Sequence, residues 1–160
     1  MDRITATCAW LDEQNVDYQL ITHQAVFTID EMSALSLDRH GTICKNLFLR
    51  DDKGRRHLLV VVSPEKVVDL KALGARIGAR LSFASEDRLA RYLNLTKGSV
   101  TPLGVLYDTS STVEILIDRD LEGQRIGVHP CDNTATAFMA FADLLRILQQ
   151  RGNPVSLINL

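Results

Sequence analysis

The sequence predicts an α+β fold, one domain over residues 1–160, with a mixed and mostly antiparallel sheet flanked by helices. Three observations carry this. The chain's 160 residues suit a single domain, and at that length about 70% of the unfolded surface can be buried. Helical and strand patterns interleave irregularly rather than in a strict strand–helix alternation. Strands also turn back on themselves through short polar turns, of which Asp51-Asp52-Lys53-Gly54 is the clearest.

Taken in order, residues 3–14 put Ile4, Cys8 and Leu11 at helical spacing. Tyr18 to Thr22 reads as a short strand. Asp30 to Leu37 reads as a helix, with Thr28 as N-cap and Glu31 three residues on. Lys45 to Arg50 and His57 to Val62 read as the two arms of a hairpin. Asp69 to Ile77 is a helix closed by Gly78, and Arg80 to Phe83 a short strand. Ser85 caps a helix running through Leu93, with Glu86 and Asp87 suiting its positive first turn. Gly98 to Pro102 is a loop. Leu103 to Tyr107, Val113 to Ile117 and Asn133 to Met139 read as strands, and Phe141 to Gln150 as a last helix.

Composition narrows the class. No apolar run reaches the roughly 18–20 residues of a membrane span, and the N-terminus lacks a signal peptide's layout. The expectation is a cytoplasmic protein without a membrane partner. Net charge is only −2, but it is unevenly spread. Residues 39–97 hold 13 Lys or Arg against 6 Asp or Glu, and the rest hold 5 against 14. Such asymmetry suits a polyanion-binding face on an acidic body, or simply an uneven solvated surface.

The usual chemical signatures are missing: no P-loop, GxGxxG, GxSxG or HExxH. His23, His40, His57 and His129 show no metal-ligand spacing, and Cys8, Cys44 and Cys131 form no CxxC pair. No metal or cofactor is expected. Cys44 and Cys131 read as small buried hydrophobes, with a Cys–His nucleophile as the alternative. Two segments draw attention. In Cys44-Lys45-Asn46, a lysine and an asparagine stand at the mouth of an apolar strand; a snorkelling strand-end lysine explains this equally well. In Gly127-Val128-His129-Pro130, the glycine permits close backbone approach and the proline stiffens the loop presenting His129. An ordinary turn is the alternative.

These segments, with His23 to Thr28, Lys45 to Asp51, Val68 to Lys71, Arg80 to Ser85, Ser99 to Gly104, and Asn133-Thr134, stand in the order found in a known family. The chain resembles the freestanding relatives of the prolyl-tRNA synthetase editing (INS) domain, a family that includes the YbaK proteins. It is most similar to the ProX or PrdX branch of alanyl-tRNA(Pro) deacylases. Gln24 and Lys97 stand where that pattern favours proline, and Cys131-Asp132 varies the residues after His-Pro.

The resemblance implies hydrolysis of the ester joining alanine to the acceptor end of tRNA(Pro), without cofactor. It assigns Lys45 as the essential cation, holding either the carbonyl oxygen or the terminal phosphate. Asn46 would orient the acceptor end. Gly127 and neighbouring amides would bind the aminoacyl group, and His129, held by Pro130, would shape or polarise the site. The terminal ribose hydroxyl would help activate water. Val26, Phe27 and Ile43 are candidate walls of a small apolar pocket, and Arg80 a candidate contact to the acceptor stem. Two alternatives remain open: a YbaK-like deacylase of cysteinyl-tRNA(Pro), and a noncatalytic tRNA-binding module. Whether prolyl-tRNA synthetase is a partner is also open.

Overall fold

The computed structural model describes residues 2–160. Nine strands among the described residues form two sheets. The five-stranded sheet has the order β5 (Leu81–Phe83), β3 (Lys45–Asp51), β4 (His57–Val62), β6 (Glu114–Asp118), β9 (Val155–Ile158). The four-stranded sheet has the order β1 (Tyr18–Thr22), β8 (Ala135–Ala140), β7 (Arg125–Val128), β2 (Thr42–Ile43). Antiparallel pairs join β1 to β8, β7 to β8, β3 to β4 and β3 to β5. The pairs β2–β7, β4–β6 and β6–β9 are parallel. The fold is the expected mixed α+β class, but its strands divide between two sheets.

Both sheets pack on one core, and β4 shows how. All six of its residues are buried. Leu59 and Val61 point into the main core, while Leu58, Val60 and Val62 point to the other face. A strand covered on both sides needs no polar alternation, which is why Leu58 to Val62 is a continuous apolar run behind His57. The main core lies between the sheets: Phe48, Leu59, Val61, Ile115 and Ile117 of the large sheet meet Ile126, Val128, Ala137 and Met139 of the small one.

Five α-helices flank the sheets: α1 (Arg3–Glu13), α2 (Ile29–Ala34), α3 (Leu70–Ile77), α4 (Glu86–Leu93) and α5 (Phe141–Gln150). The capping signals work as their chemistry requires. The side chain of Thr28 accepts from the Glu31 N–H, that of Asp69 from the Lys71 and Ala72 N–H groups, and that of Ser85 from the Arg88 N–H. Leu73 of α3 closes the outer face of the large sheet. Met32 of α2 covers the outer face of the small sheet with Val26, Leu37, Ile43 and Phe138.

Leu103 to Tyr107 is not a strand. Pro102 to Tyr107 forms a 3-10 helix, opened by Pro102 in its first turn and by the Thr101 hydroxyl, which accepts from the Leu103 N–H at 3.3 Å. Arg151 donates to the carbonyls of Val105 and Leu106 at 3.1 and 3.0 Å, satisfying the other end. Strands β2, β7 and β9 were not expected. The first is two residues long, the second had read as a glycine-bearing turn, and the third is an edge strand behind Pro154.

Phe138 of β8 is fully buried and locks the small sheet to its cover. A Cβ on Gly127 would stand 2.6 Å from its ring, so glycine at 127 is demanded by this packing. We expect Phe138→Ala to cost about 3–5 kcal/mol, the range for removing a buried aromatic. A urea titration measures it; an unchanged midpoint would contradict this account of the cover.

Candidate active site

The chain crosses from the small sheet to the large one at Cys44, between β2 and β3. The Cys44 N–H donates to the Gly127 carbonyl at 3.1 Å, so the crossing is pinned to β7. Lys45 and Asn46 follow at the start of β3, and His129 follows the end of β7. The seam between the sheets thus brings together residues more than eighty positions apart.

A cavity of ≈ 200 Å³ opens at this seam, and Val26, Phe27, Ile29, Met32, Lys45 and His129 supply much of its wall. Asn46, Gly98 and Val100 complete one side. Lys45 is its only charged lining residue among those described, and no carboxylate lines it. The Lys45 ammonium donates to the Lys66 carbonyl. An ammonium has three donors, so two remain.

That carbonyl is itself held. The Lys66 ammonium donates to Asp118 at 2.8 Å, to Asp120 at 2.6 Å and to the Leu160 carbonyl at 3.1 Å. Asp118 is fully buried at the end of β6 and also accepts from the Ser63 and Asp120 N–H groups. Burial raises an acid's pKa, but the Lys66 bond and these N–H donors outweigh it, and the Asp118 carboxyl lies below the usual carboxylate range.

His129 is half-buried, and its Nδ1 lies 2.9 Å from the Ala135 carbonyl. A carbonyl only accepts, so Nδ1 carries the proton and the neutral ring keeps a lone pair at Nε2. Burial lowers the His129 pKa; the bond to Ala135 opposes this without reversing it, and His23, 6.3 Å away between ring centroids, adds to the lowering. At neutral pH the cavity therefore holds one cation and one uncharged imidazole.

The roof is built from residues 23–28. The His23 N–H donates to the Thr134 carbonyl, the Val26 N–H to the Asn133 carbonyl, and the Asn133 amide to the Val26 carbonyl at 2.9 Å. Gly98 has φ +87, and a Cβ there would stand 2.5 Å from the ring of Phe27. That ring is 64% exposed, so glycine lets an aromatic lie across the cavity mouth.

Of the residues expected from sequence, Lys45, His129, Asn46, Val26 and Phe27 share this cavity. Gly127, Pro130 and Ile43 do not line it. Gly127 lies one layer behind, under Phe138, and Pro130 is buried after His129. Ile43 is buried in the cluster holding Val26 and Met32, so it backs the wall. Arg80 is exposed beside β5, where Leu81 pairs with Asp51 at the far end of β3. That is about 20 Å along the strand from Lys45, so Arg80 lies outside the cavity, as a contact to the acceptor stem rather than to the aminoacyl end would. Ile29, Met32, Gly98 and Val100 were not singled out in advance. The helical spacing of Ile29 and Met32 was the available signal for two of them.

No side chain here is an activated nucleophile. Burial pushes the Cys44 thiol up to about 12 and the Cys131 thiol up to about 11, so neither is a thiolate at neutral pH. The Thr28 hydroxyl is engaged in capping α2. No cluster of three or more metal-ligating side chains occurs among the described residues, and no helix there is long and apolar enough to cross a membrane. Such a hollow can hold an acyl group and stabilise charge on its oxygen while water attacks. The class this geometry suits is a hydrolase.

Comparison with known proteins gives the class its family. A family model for the aminoacyl-tRNA editing domain matches residues 23–147. The chain is 48% identical over 162 residues to the Prolyl-tRNA editing protein ProX of Acetoanaerobium sticklandii, covering 100% of this chain and 99% of that one. It is 38% identical over 145 residues to the Prolyl-tRNA synthetase associated domain-containing protein 1 of Danio rerio, covering 88% of this chain and 78% of the relative. A crystal structure of a candidate trans-editing enzyme for prolyl tRNA synthetase superposes with a TM-score of 0.75 at 18% identity, over 100% of this chain and 98% of the other. The chain belongs to the aminoacyl-tRNA editing domain family, and its activity is that of an aminoacyl-tRNA deacylase.

The burial of His129 has a consequence in pH. Its lowered pKa means that the fold favours the neutral ring. The corresponding stability is fully present above the ordinary histidine value of about 6.5 and is lost as pH falls from there toward the lowered value. We expect an NMR titration to place the His129 midpoint below that of a free imidazole. A midpoint at or above it would show the ring to be solvated.

Proposed function

We propose that this chain edits mischarged tRNA(Pro) in trans, and that the amino acid it removes is alanine. The observation that carries this reading is the size and charge of the hollow: ≈ 200 Å³, walled largely by apolar side chains, with one ammonium and one neutral imidazole. The names of the relatives point to the same tRNA.

In this reading the aminoacyl carbonyl oxygen sits against the two free donors of the Lys45 ammonium. Water adds to the carbonyl carbon, and negative charge builds on that oxygen as the tetrahedral centre forms. A cation already aimed there by the Lys66 carbonyl stabilises this charge more than it stabilises the ground state. His129 accepts a hydrogen bond from the attacking water at Nε2 and so orients it. The bond between the carbonyl carbon and the ribose oxygen then breaks, and that oxygen takes up a proton released from the water. An ester is activated enough that position and charge suffice, which suits a site with no nucleophile. The Asn46 amide oxygen is buried without a partner among the described residues, and a donor from the acceptor end would satisfy it.

Selectivity follows from volume. A methyl side chain fits against Val26, Ile29 and Met32, whereas a proline ring crowds the same wall. Steric exclusion rejects a larger group more strongly than a pocket can reject a smaller one.

Lys45→Ala should fold normally and lose on the order of a hundredfold or more in deacylation rate, the scale of removing one electrostatic stabiliser. Single-turnover assays on alanyl-tRNA(Pro) measure this, and near-normal turnover would remove Lys45 from the mechanism. In a panel of alanyl-, cysteinyl- and prolyl-tRNA(Pro), we expect the alanyl ester to be cleaved fastest and the prolyl ester to survive. Preference for the cysteinyl ester would reassign the substrate, and binding without cleavage of any would make the chain a noncatalytic module.

A further inference from the structure

Beside the cavity lies a second hollow. A groove of ≈ 500 Å³ runs between β3 and the start of α4, and Leu47, Phe83, Glu86, Leu89 and Lys97 line it. It shares Asn46 and Val100 with the reaction cavity, so the two adjoin. Strand register explains why it exists. β5 pairs only with Leu49, Arg50 and Asp51 of β3. The chain then turns away: the Ala84 N–H donates to the Phe48 carbonyl at 3.0 Å, and Ser85 caps α4. Lys45 to Leu47 are therefore left without a β5 partner, and the groove occupies the space where one would lie.

Phe83 is the last residue of β5. Its partner Leu49 is fully buried, but the Phe83 ring is 64% exposed. Leu89 of α4 is buried in the groove wall, so the ring stands beside an apolar surface. Lys97 and Glu86 are exposed on the rim, and neither joins an ion pair among the described residues. Their charges are opposite, so the groove is close to neutral. A neutral apolar trough with an open aromatic face holds a flat π-system better than it holds phosphate. The hollow on the far side of α2 differs. It shares only Ile29 with the cavity, has no aromatic lining residue besides His40, and carries Asp38, Arg39, Glu65 and Arg125.

We propose that this groove seats the unpaired nucleotide next to the acylated one, with its base stacked on the Phe83 ring. This rests on the reading of the chain as an editor of aminoacyl-tRNA and adds a binding residue outside the reaction cavity. Continuity identifies the occupant. The ribose that carries the ester is joined to one neighbouring nucleotide, and the shared walls Asn46 and Val100 lead from the cavity into the groove. Leu49, across from Phe83, is four residues from Lys45 on β3, about 13 Å along the strand. That span suits the next nucleotide along. An unpaired base leaves its faces free to stack, and every base has such a face. The groove therefore registers that an unpaired nucleotide is present, whatever its identity. Holding it fixes how far the ester reaches toward Lys45.

A double-mutant cycle on the whole protein tests this. Wild type, Phe83→Ala and Phe83→Tyr are titrated by fluorescence anisotropy with two RNA hairpins. One has an intact unpaired 3′ end, and the other lacks the base of the penultimate nucleotide. On the intact hairpin we expect Phe83→Ala to bind about tenfold more weakly, the scale of one base–aromatic stack, and Phe83→Tyr to bind like wild type. On the abasic hairpin we expect all three to bind alike. The salt slope should not change, because no phosphate contact is lost. Tm should stay close to that of wild type, because the ring is already exposed. An equal loss on both hairpins, no loss on either, or failure of Phe83→Tyr to retain affinity would overturn the proposal. Deacylation of the intact hairpin carrying alanine separates the two claims. If wild type cleaves it and Phe83→Ala binds and cleaves as well, the groove is misassigned and the enzymatic reading stands. If wild type neither binds nor cleaves, both fall.

Discussion

Much of this architecture depends on one hydrogen bond, from the Cys44 N–H to the Gly127 carbonyl. It fixes the place where the chain leaves the small sheet and enters the large one. On one side of it β2 and β7 run parallel for two residues; on the other, β3 swings away into a different sheet. The divergence opens a gap, and the residues flanking the gap are Lys45 and His129. Two packed sheets with no such crossing would have closed their core here. The glycine at 127 is part of the same constraint, because Phe138 fills the space that any side chain there would need.

The seam also separates two electrostatic regimes. In the cavity, burial keeps His129 neutral, and the one cation is fixed through Lys66 to a buried carboxylate. At the hairpin tip, Arg50, Arg88 and Arg91 surround His57, and the Asp51 carboxylate stands near the same ring. The first arrangement suits the stabilisation of charge that forms during a reaction. Both adjoin the hairpin strands β3 and β4, and β4 is buried along its whole length.

Much of the fold could be read from residue patterns, for identifiable reasons. Helices with side-chain caps and a sharp end, such as Glu86–Leu93 between Ser85 and Asn94, carry their own boundaries. The His57 to Val62 run was clear because a strand buried on both faces has no polar interruptions. The misread segment at Leu103 failed because its apolar run reports burial and not conformation, and Pro102 with Thr101 decided for a helical turn. Strand β9 was missed because its pairing with β6 is set from forty residues away. In the cavity, family resemblance drew attention to Lys45 and His129, which periodicity alone could not distinguish from an ordinary strand end and turn. Gly98 and Val100 were invisible as lining because their role comes from a loop folded across a distant roof.

The order in which these parts leave the ribosome matters too. Lys45 is made early, but the carboxylate that clamps its anchor is residue 118, and the imidazole opposite is residue 129. Strand β1 finds its partner only when residues 135–140 exist. In a nascent chain, the anchor of Lys45 and the imidazole opposite it are incomplete until residue 129 has been made.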